Sequence, residues 1–165
     1  EAAQEYAAMD MSIFDDVDAI IYVGGLSPKL EGEEMRVNYK GFKGGDRTSI
    51  ELPETQRQYI AELAKTGKPI IFVHLSGSAV ALAPEAEICD AILQGWYAGQ
   101  QGGTAIADVL FGDYNPAGRL PVTFYASDAD LPDFGDYDMP GHTYRYFQGK
   151  PLFPFGHGLS YTSFE

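Results

Sequence analysis

Two short apolar runs, each bounded by residues that interrupt it, limit what this chain can fold into. Ala19-Ile20-Ile21-Tyr22-Val23 is closed by Gly24-Gly25, and Pro69 opens the run Ile70-Ile71-Phe72-Val73. Neither run alternates with polar residues, so each reads as a strand buried on both faces. Such strands belong to parallel sheets covered by helices. A third candidate strand runs from Ala91 to Tyr97. Between the first two, Tyr59, Ile60 and Leu63 form the apolar stripe of a helix that begins after Leu52-Pro53 and is capped near Gly67. Proline is harmless at a helix start, where its missing N–H has no partner to lose, and glycine suits the left-handed residue that ends a helix. Past Gly99, Gly102 and Gly103, a second helix carries Ala105, Ile106, Val109 and Leu110 and stops at Gly112. Strand, helix, strand, strand, helix, with buried strands, predicts an α/β fold: a three-layer sandwich with a mostly parallel sheet.

Three regions fall outside that pattern. Residues 1–16 carry a rough helical stripe of Ala2, Ala3, Tyr6, Ala7 and Met9 and read as a leading helix. Residues 26–50 are polar, contain five glycines or prolines, and read as a long loop with few apolar anchors. Loops of that length in compact domains usually carry function. From about residue 113, Pro116, Pro121, Pro132, Pro140, Pro151 and Pro154 punctuate an aromatic-rich segment. Prolines at that density exclude central strands and predict an extended C-terminal tail. Phe153, Phe155, Tyr161 and Phe164 are expected to fold back onto the sandwich, because left outside they would form a large apolar patch.

Composition narrows the function. A chain of 165 residues is one domain's worth, and 45% hydrophobic residues suffice for a core. The formal net charge of −13, from 24 acidic and 11 basic residues, argues against nucleic acid as a partner, since phosphates need a basic face. Neutral sugars tolerate an acidic surface. No apolar run approaches the roughly 18 residues that a membrane helix needs, so no membrane partner is expected. No signal peptide is visible. The single cysteine, Cys89, lies in an apolar context without a neighbouring His or Lys and reads as a packed thiol. The expected location is secreted or periplasmic; the absence of disulfides decides little, since it suits the cytoplasm and a large secreted domain does not require bridges.

His74, His142 and His157 have no metal-ligand spacing, so no metal is expected, and His74 reads as a hydrogen-bonded core residue. Gly77 and Ser78 do not complete a G-x-S-x-G nucleophile elbow. No phosphate-loop or dinucleotide fingerprint occurs, so Gly99, Gly102 and Gly103 read as a tight strand–helix turn. The densest charge lies in the loop after the first strand: Glu31-Gly32-Glu33-Glu34, then Asp46-Arg47. In open α/β sheets ligands bind beyond the carboxyl ends of the strands, where this loop begins. Carboxylates crowded together raise one another's pKa, which suits a general acid; ordinary surface glutamates would have the same sequence.

Several stretches, taken in order, resemble glycoside hydrolase family 3, the retaining β-glucosidases and β-xylosidases. They are Val23-Gly24-Gly25-Leu26, Gly45-Asp46-Arg47 with Leu52-Pro53, and Gly67-Lys68-Pro69-Ile70. Then come Ala107-Asp108-Val109-Leu110-Phe111-Gly112, Asn115-Pro116-Ala117-Gly118-Arg119-Leu120-Pro121, and Leu152-Phe153-Pro154-Phe155-Gly156-His157-Gly158-Leu159-Ser160-Tyr161-Thr162. The resemblance implies the C-terminal α/β sandwich domain of such an enzyme, with its front strands and the catalytic barrel domain not represented in the chain. It implies a nucleophilic Asp on that N-terminal barrel and an acid/base Glu on a sandwich loop. It also implies a β-linked glycoside substrate and no metal or organic cofactor. Members place the acid/base Glu ahead of an Asp-Arg pair, here Asp46-Arg47. That alignment favours Glu33, with Glu31 and then Glu34 as alternatives, across an insertion from Met35 to Gly45. The chain alone is then expected to be inactive. The competing class is a carbohydrate-binding or scaffolding module that keeps the fold without catalysis.

Overall fold

The computed structural model describes residues 10–32 and 35–163. Strands β1 (Ile20–Gly25), β4 (Ile70–Leu75) and β5 (Ala91–Gln94) form one parallel sheet in the order β1-β4-β5. The register pairs Ile20 with Ile70 and Ile71 with Ala91, so the three strands end near one another. Helix α2 (Glu54–Ala64) and helix α3 (Ala83–Ile88) cover one face. Even-numbered side chains of β1 and β4 point that way: Ile20, Tyr22, Ile70 and Phe72 pack with Ile60 and Leu63 in the core. Helix α4 (Gly102–Phe111) stands beside the opposite face, where Ile106 shares a cleft with Val23, Val73 and Leu75. Helices therefore flank a parallel sheet, as expected of an α/β sandwich.

Several expectations hold in detail. Gly67 takes the left-handed conformation just past α2 (φ 68°) and donates its N–H to Ala64 O. Gly112 does the same after α4 (φ 85°). Cys89 is a free, half-buried thiol packed against the core, and burial pushes its pKa up to about 11. No helix among the described residues is long and apolar enough to cross a membrane.

Other expectations need correcting. Of the leading helix, residues 1–9 lie outside the described residues, and the remainder is a short 3-10 helix, Met11–Phe14. Helix α3 has no apolar stripe long enough to announce it, yet it supplies the crossover that two adjacent parallel strands require. Its buried Glu85 is held by Arg57 of α2 at 3.0 Å, and Arg57 also pairs with Glu51 at 2.6 Å. Burial raises the Glu85 pKa despite that partner. Strand β5 ends at Gln94 rather than Tyr97, because Trp96 adopts a left-handed backbone conformation (φ 52°) incompatible with a strand.

The tail is anchored by a ring that the sequence does not single out. Phe124 is 1% exposed, lies 6.1 Å from Trp96 between ring centroids, and exchanges backbone hydrogen bonds with Phe153. Phe155, at 48% exposed, stacks on Tyr144 instead, and Tyr161 is 61% exposed, its hydroxyl donating to Val109 O and its N–H to Asn115 Oδ1. Phe164 lies outside the described residues. The tail thus attaches through buried Phe124 and through Phe153, whose ring packs 6.3 Å from it as expected and whose backbone pairs with it, rather than through Phe155 and Tyr161. Phe124→Ala is expected to cost about 3–5 kcal/mol and Phe155→Ala well under half of that, measured by denaturant unfolding of the chain. Equal losses would contradict this account of the tail.

Candidate functional site

The site is built where the three strands end. Gly25 closes β1 with φ 123°, and a side chain there would overlap the Leu75 carbonyl. That close approach carries the chain into Leu26, which is fully buried and donates its N–H to Leu75 O. Ser27 then caps a single helical turn, α1 (Pro28–Glu31), by accepting from Leu30 N at 3.1 Å, and Gly32 ends the turn in a left-handed conformation. The segment 26–50 is therefore not structureless. It also contains a small hairpin, β2 (Phe42–Lys43) with β3 (Asp46–Arg47), and it has the buried anchor that its composition hides.

Glu31 is the candidate carboxylate whose position is described; Glu33 and Glu34 lie outside the described residues. Both oxygens of Glu31 accept hydrogen bonds. Ser78 Oγ donates to Oε1 at 2.9 Å, and Tyr97 OH donates to Oε2 at 2.7 Å while lying 2.9 Å from Leu26 O. Asp46 is exposed, whereas Arg47 turns inward. Its Nη1 donates to Ser78 Oγ at 3.0 Å and its Nε to Ser49 O at 3.1 Å. Its Nη2 is buried with no acceptor among the described residues. Burial pulls the Arg47 pKa below its usual value, opposed by the nearby charges of Glu31 and Asp128.

Ser78 and Tyr97 are the participants that the sequence conceals. Ser78 follows β4 and Tyr97 follows β5, so parallel strand ends bring both to the loop from 47 and 66 residues away. Gly77 permits the fit: a Cβ there would lie 2.6 Å from the Tyr97 ring and 2.8 Å from Glu31 Oε2. Trp96, with its ring against Phe124, turns the backbone so that the next residue faces Glu31.

A polar chain leads from this cluster into the core. Ser76 Oγ donates to Ser78 O at 2.7 Å and accepts from Gln94 Nε2 at 3.2 Å. Gln94 Oε1 meets His74 Nδ1 at 2.5 Å, as their paired positions in the sheet allow. The amide's orientation makes Nδ1 the donor, and burial lowers the His74 pKa against the pull of that bond. His74 is thus the hydrogen-bonded core residue that its apolar context suggests, although its Nε2 has no partner. Among the described residues no cluster of His, Cys, Asp and Glu could hold a metal ion. Gly99, Gly102 and Gly103 make the turn into α4 and border a cleft of about 890 Å³ that also touches Trp96, Tyr97 and Ser27.

Comparison with known proteins fits this geometry. The family described as glycosyl hydrolase family 3 C-terminal domain matches residues 3–161. A xylan 1,4-β-xylosidase from Xylanibacter ruminicola is 64% identical over 149 residues, covering 90% of this chain and 17% of its own length. A periplasmic β-glucosidase from Salmonella typhimurium is 45% identical over 134 residues, covering 74% of this chain and 18% of its own. Among solved structures, a family 3 exo-β-xylosidase in complex with a xylobiose aziridine probe superposes with a TM-score of 0.77 at 32% identity, over 93% of this chain and 20% of that one. The chain therefore spans about a fifth of the length of these relatives.

The Tyr97–Glu31 bond makes a titration prediction. Tyr97 is 42% exposed, and partial burial followed by the bond to Glu31 pushes its phenol up to about 12 from its usual 10. The bond's stabilisation is full below pH 10 and is lost as pH rises through the folded pKa near 12. Tyrosinate absorbance, with Tyr97→Phe as the difference reference, should show that titration, and Glu31→Gln should move it down toward 10. A titration unmoved by Glu31→Gln would contradict the bond.

Proposed function

Because the chain belongs to glycosyl hydrolase family 3, as its C-terminal domain, we propose that it forms the acid/base half of an active site in a retaining, exo-acting β-glycosidase of β-xylosidase or β-glucosidase type. The observation that carries this reading is the placement of the acidic loop. The segment that holds Glu31, Glu33 and Glu34 leaves the carboxyl end of β1 and is tied there to residues following β4 and β5. That edge is where open α/β sheets bind ligands. A barrel domain of the same polypeptide would complete the site with an Asp nucleophile.

The chemistry needs two carboxyls about 5 Å apart. The barrel's Asp attacks the anomeric carbon and displaces the leaving oxygen, which Glu33 protonates. Glu33, now a carboxylate, deprotonates the water that releases the sugar with its configuration retained. Glu31 and Glu34 are the alternative donors. The chain without its barrel is inactive on this reading, and no metal takes part. The β-xylosidase from Xylanibacter ruminicola makes β-xylosides the substrates to try first. The periplasmic relative favours a secreted or periplasmic location.

The test is a leaving-group series in the enzyme that combines this chain with its barrel. Glu33→Ala should lower kcat/KM for poor leaving groups by roughly 10²–10⁴-fold, because those need a proton, and much less for activated aryl glycosides. Azide, which needs no base, should restore turnover of the activated substrates and yield a β-glycosyl azide. Uniform loss and no azide product for all three of Glu31→Ala, Glu33→Ala and Glu34→Ala would remove the acid/base from this loop.

A further inference from the structure

Resting on that reading, we propose that Glu31 is a positioning residue: with Arg47 it closes the acid/base loop onto Ser78, and it does not itself move the proton.

Ser78 Oγ is where the two ends of the loop meet. It donates to Glu31 Oε1 at the start of the segment 32–46 and accepts from Arg47 Nη1 at its end. A hydroxyl has one proton to give and lone pairs to receive, so one Ser78 satisfies both partners at once. The hydroxyl is itself fixed, because Ser78 O accepts from Ser76 Oγ, and Ser76 in turn is held by Gln94. The clasp is thus fastened to the sheet interior rather than to another loop. Tyr97 provides a second fastening on Oε2, and Gly77 leaves room for both, since a Cβ there would lie 2.8 Å from Oε2 and 2.6 Å from the Tyr97 ring.

The same geometry argues against proton transfer by Glu31. A general acid must present a protonated oxygen to the leaving group and then a free one to water. Both Glu31 oxygens already accept from hydroxyls, so a proton placed on either one requires Ser78 or Tyr97 to turn its own O–H away and give up that bond. Hydrogen bonds to an ionised carboxylate are among the stronger ones, which suits a carboxylate kept as a fixed anchor. Neither Ser78, which the elbow motif does not fit, nor Tyr97 has a role in the chemistry proposed above; the clasp gives both one. The loop's remaining carboxylates, Glu33 and Glu34, fall inside the closed segment.

Four variants of the complete enzyme test the proposal: Glu31→Ala, Glu31→Gln, Ser78→Ala and Tyr97→Phe. Glu31→Ala should lower kcat/KM by up to about 10²-fold, the cost of roughly 1 Å of misplacement, by the same factor for poor and good leaving groups. Azide should not restore it. Glu31→Gln keeps an acceptor for one hydroxyl and should recover most of the loss, which a proton donor replaced by an amide would not. Hydrogen exchange in the segment 35–48 should quicken in Glu31→Ala and Ser78→Ala. Leaving-group dependence with azide rescue in Glu31→Ala would overturn the proposal by making Glu31 the acid/base. Wild-type kinetics and exchange in that variant would overturn it by leaving nothing to hold. If no glutamate of the loop shows azide rescue yet exchange quickens as stated, the clasp stands and the acid/base reading fails, so the two fail separately.

Discussion

The parallel pairing of β4 between β1 and β5 is the constraint from which the site follows. Parallel strands in register end side by side, and what comes after each strand is delivered to the same edge. Here those continuations are Leu26 to Glu31, Ser76 to Ser78, and Trp96 to Tyr97. An antiparallel neighbour would have sent one of them to the far side of the sheet. The burial of β4 on both faces holds the register, since a slip by one residue would exchange Phe72 and His74 with their opposite-facing neighbours.

On that edge the energetic logic is polar rather than apolar. Glu31, Arg47, Ser78 and Tyr97 bond to one another across long stretches of sequence. Gly25 and Gly77 make the approach possible by lacking a side chain where the backbone of β4 or the ring of Tyr97 must come close. The buried Nη2 of Arg47, which has no acceptor among the described residues, sits in the same cluster. A loop built this way is tied to the sheet edge at Glu31 and Arg47.

How much of this could be read in the sequence depends on the distance over which each signal acts. Unbroken apolar runs and their glycine or proline limits are local, so β1, β4, α2 and α4 are legible within a residue or two of their ends. Helix α3 is not, because six residues with Pro84, Glu85 and Glu87 among them carry no stripe, and only the crossover geometry makes them helical. The early end of β5 depends on the backbone of Trp96, which the packing of its ring against Phe124 accompanies and no neighbouring residue announces. The acidic loop is visible as a charge cluster, whereas Ser78 and Tyr97 become its partners only once the strand register is known. Phe124 is one aromatic among many until the antiparallel return to Phe153 selects it.

Glu31 joins the loop to the sheet through Tyr97. A double-mutant cycle on unfolding free energy, combining Glu31→Gln with Tyr97→Phe, measures that link and cancels whatever each change does elsewhere. The account predicts a coupling of about 0.5–3 kcal/mol, the range for directly bonded side chains. Additivity within about 0.3 kcal/mol would mean that the two residues act independently and would contradict the account.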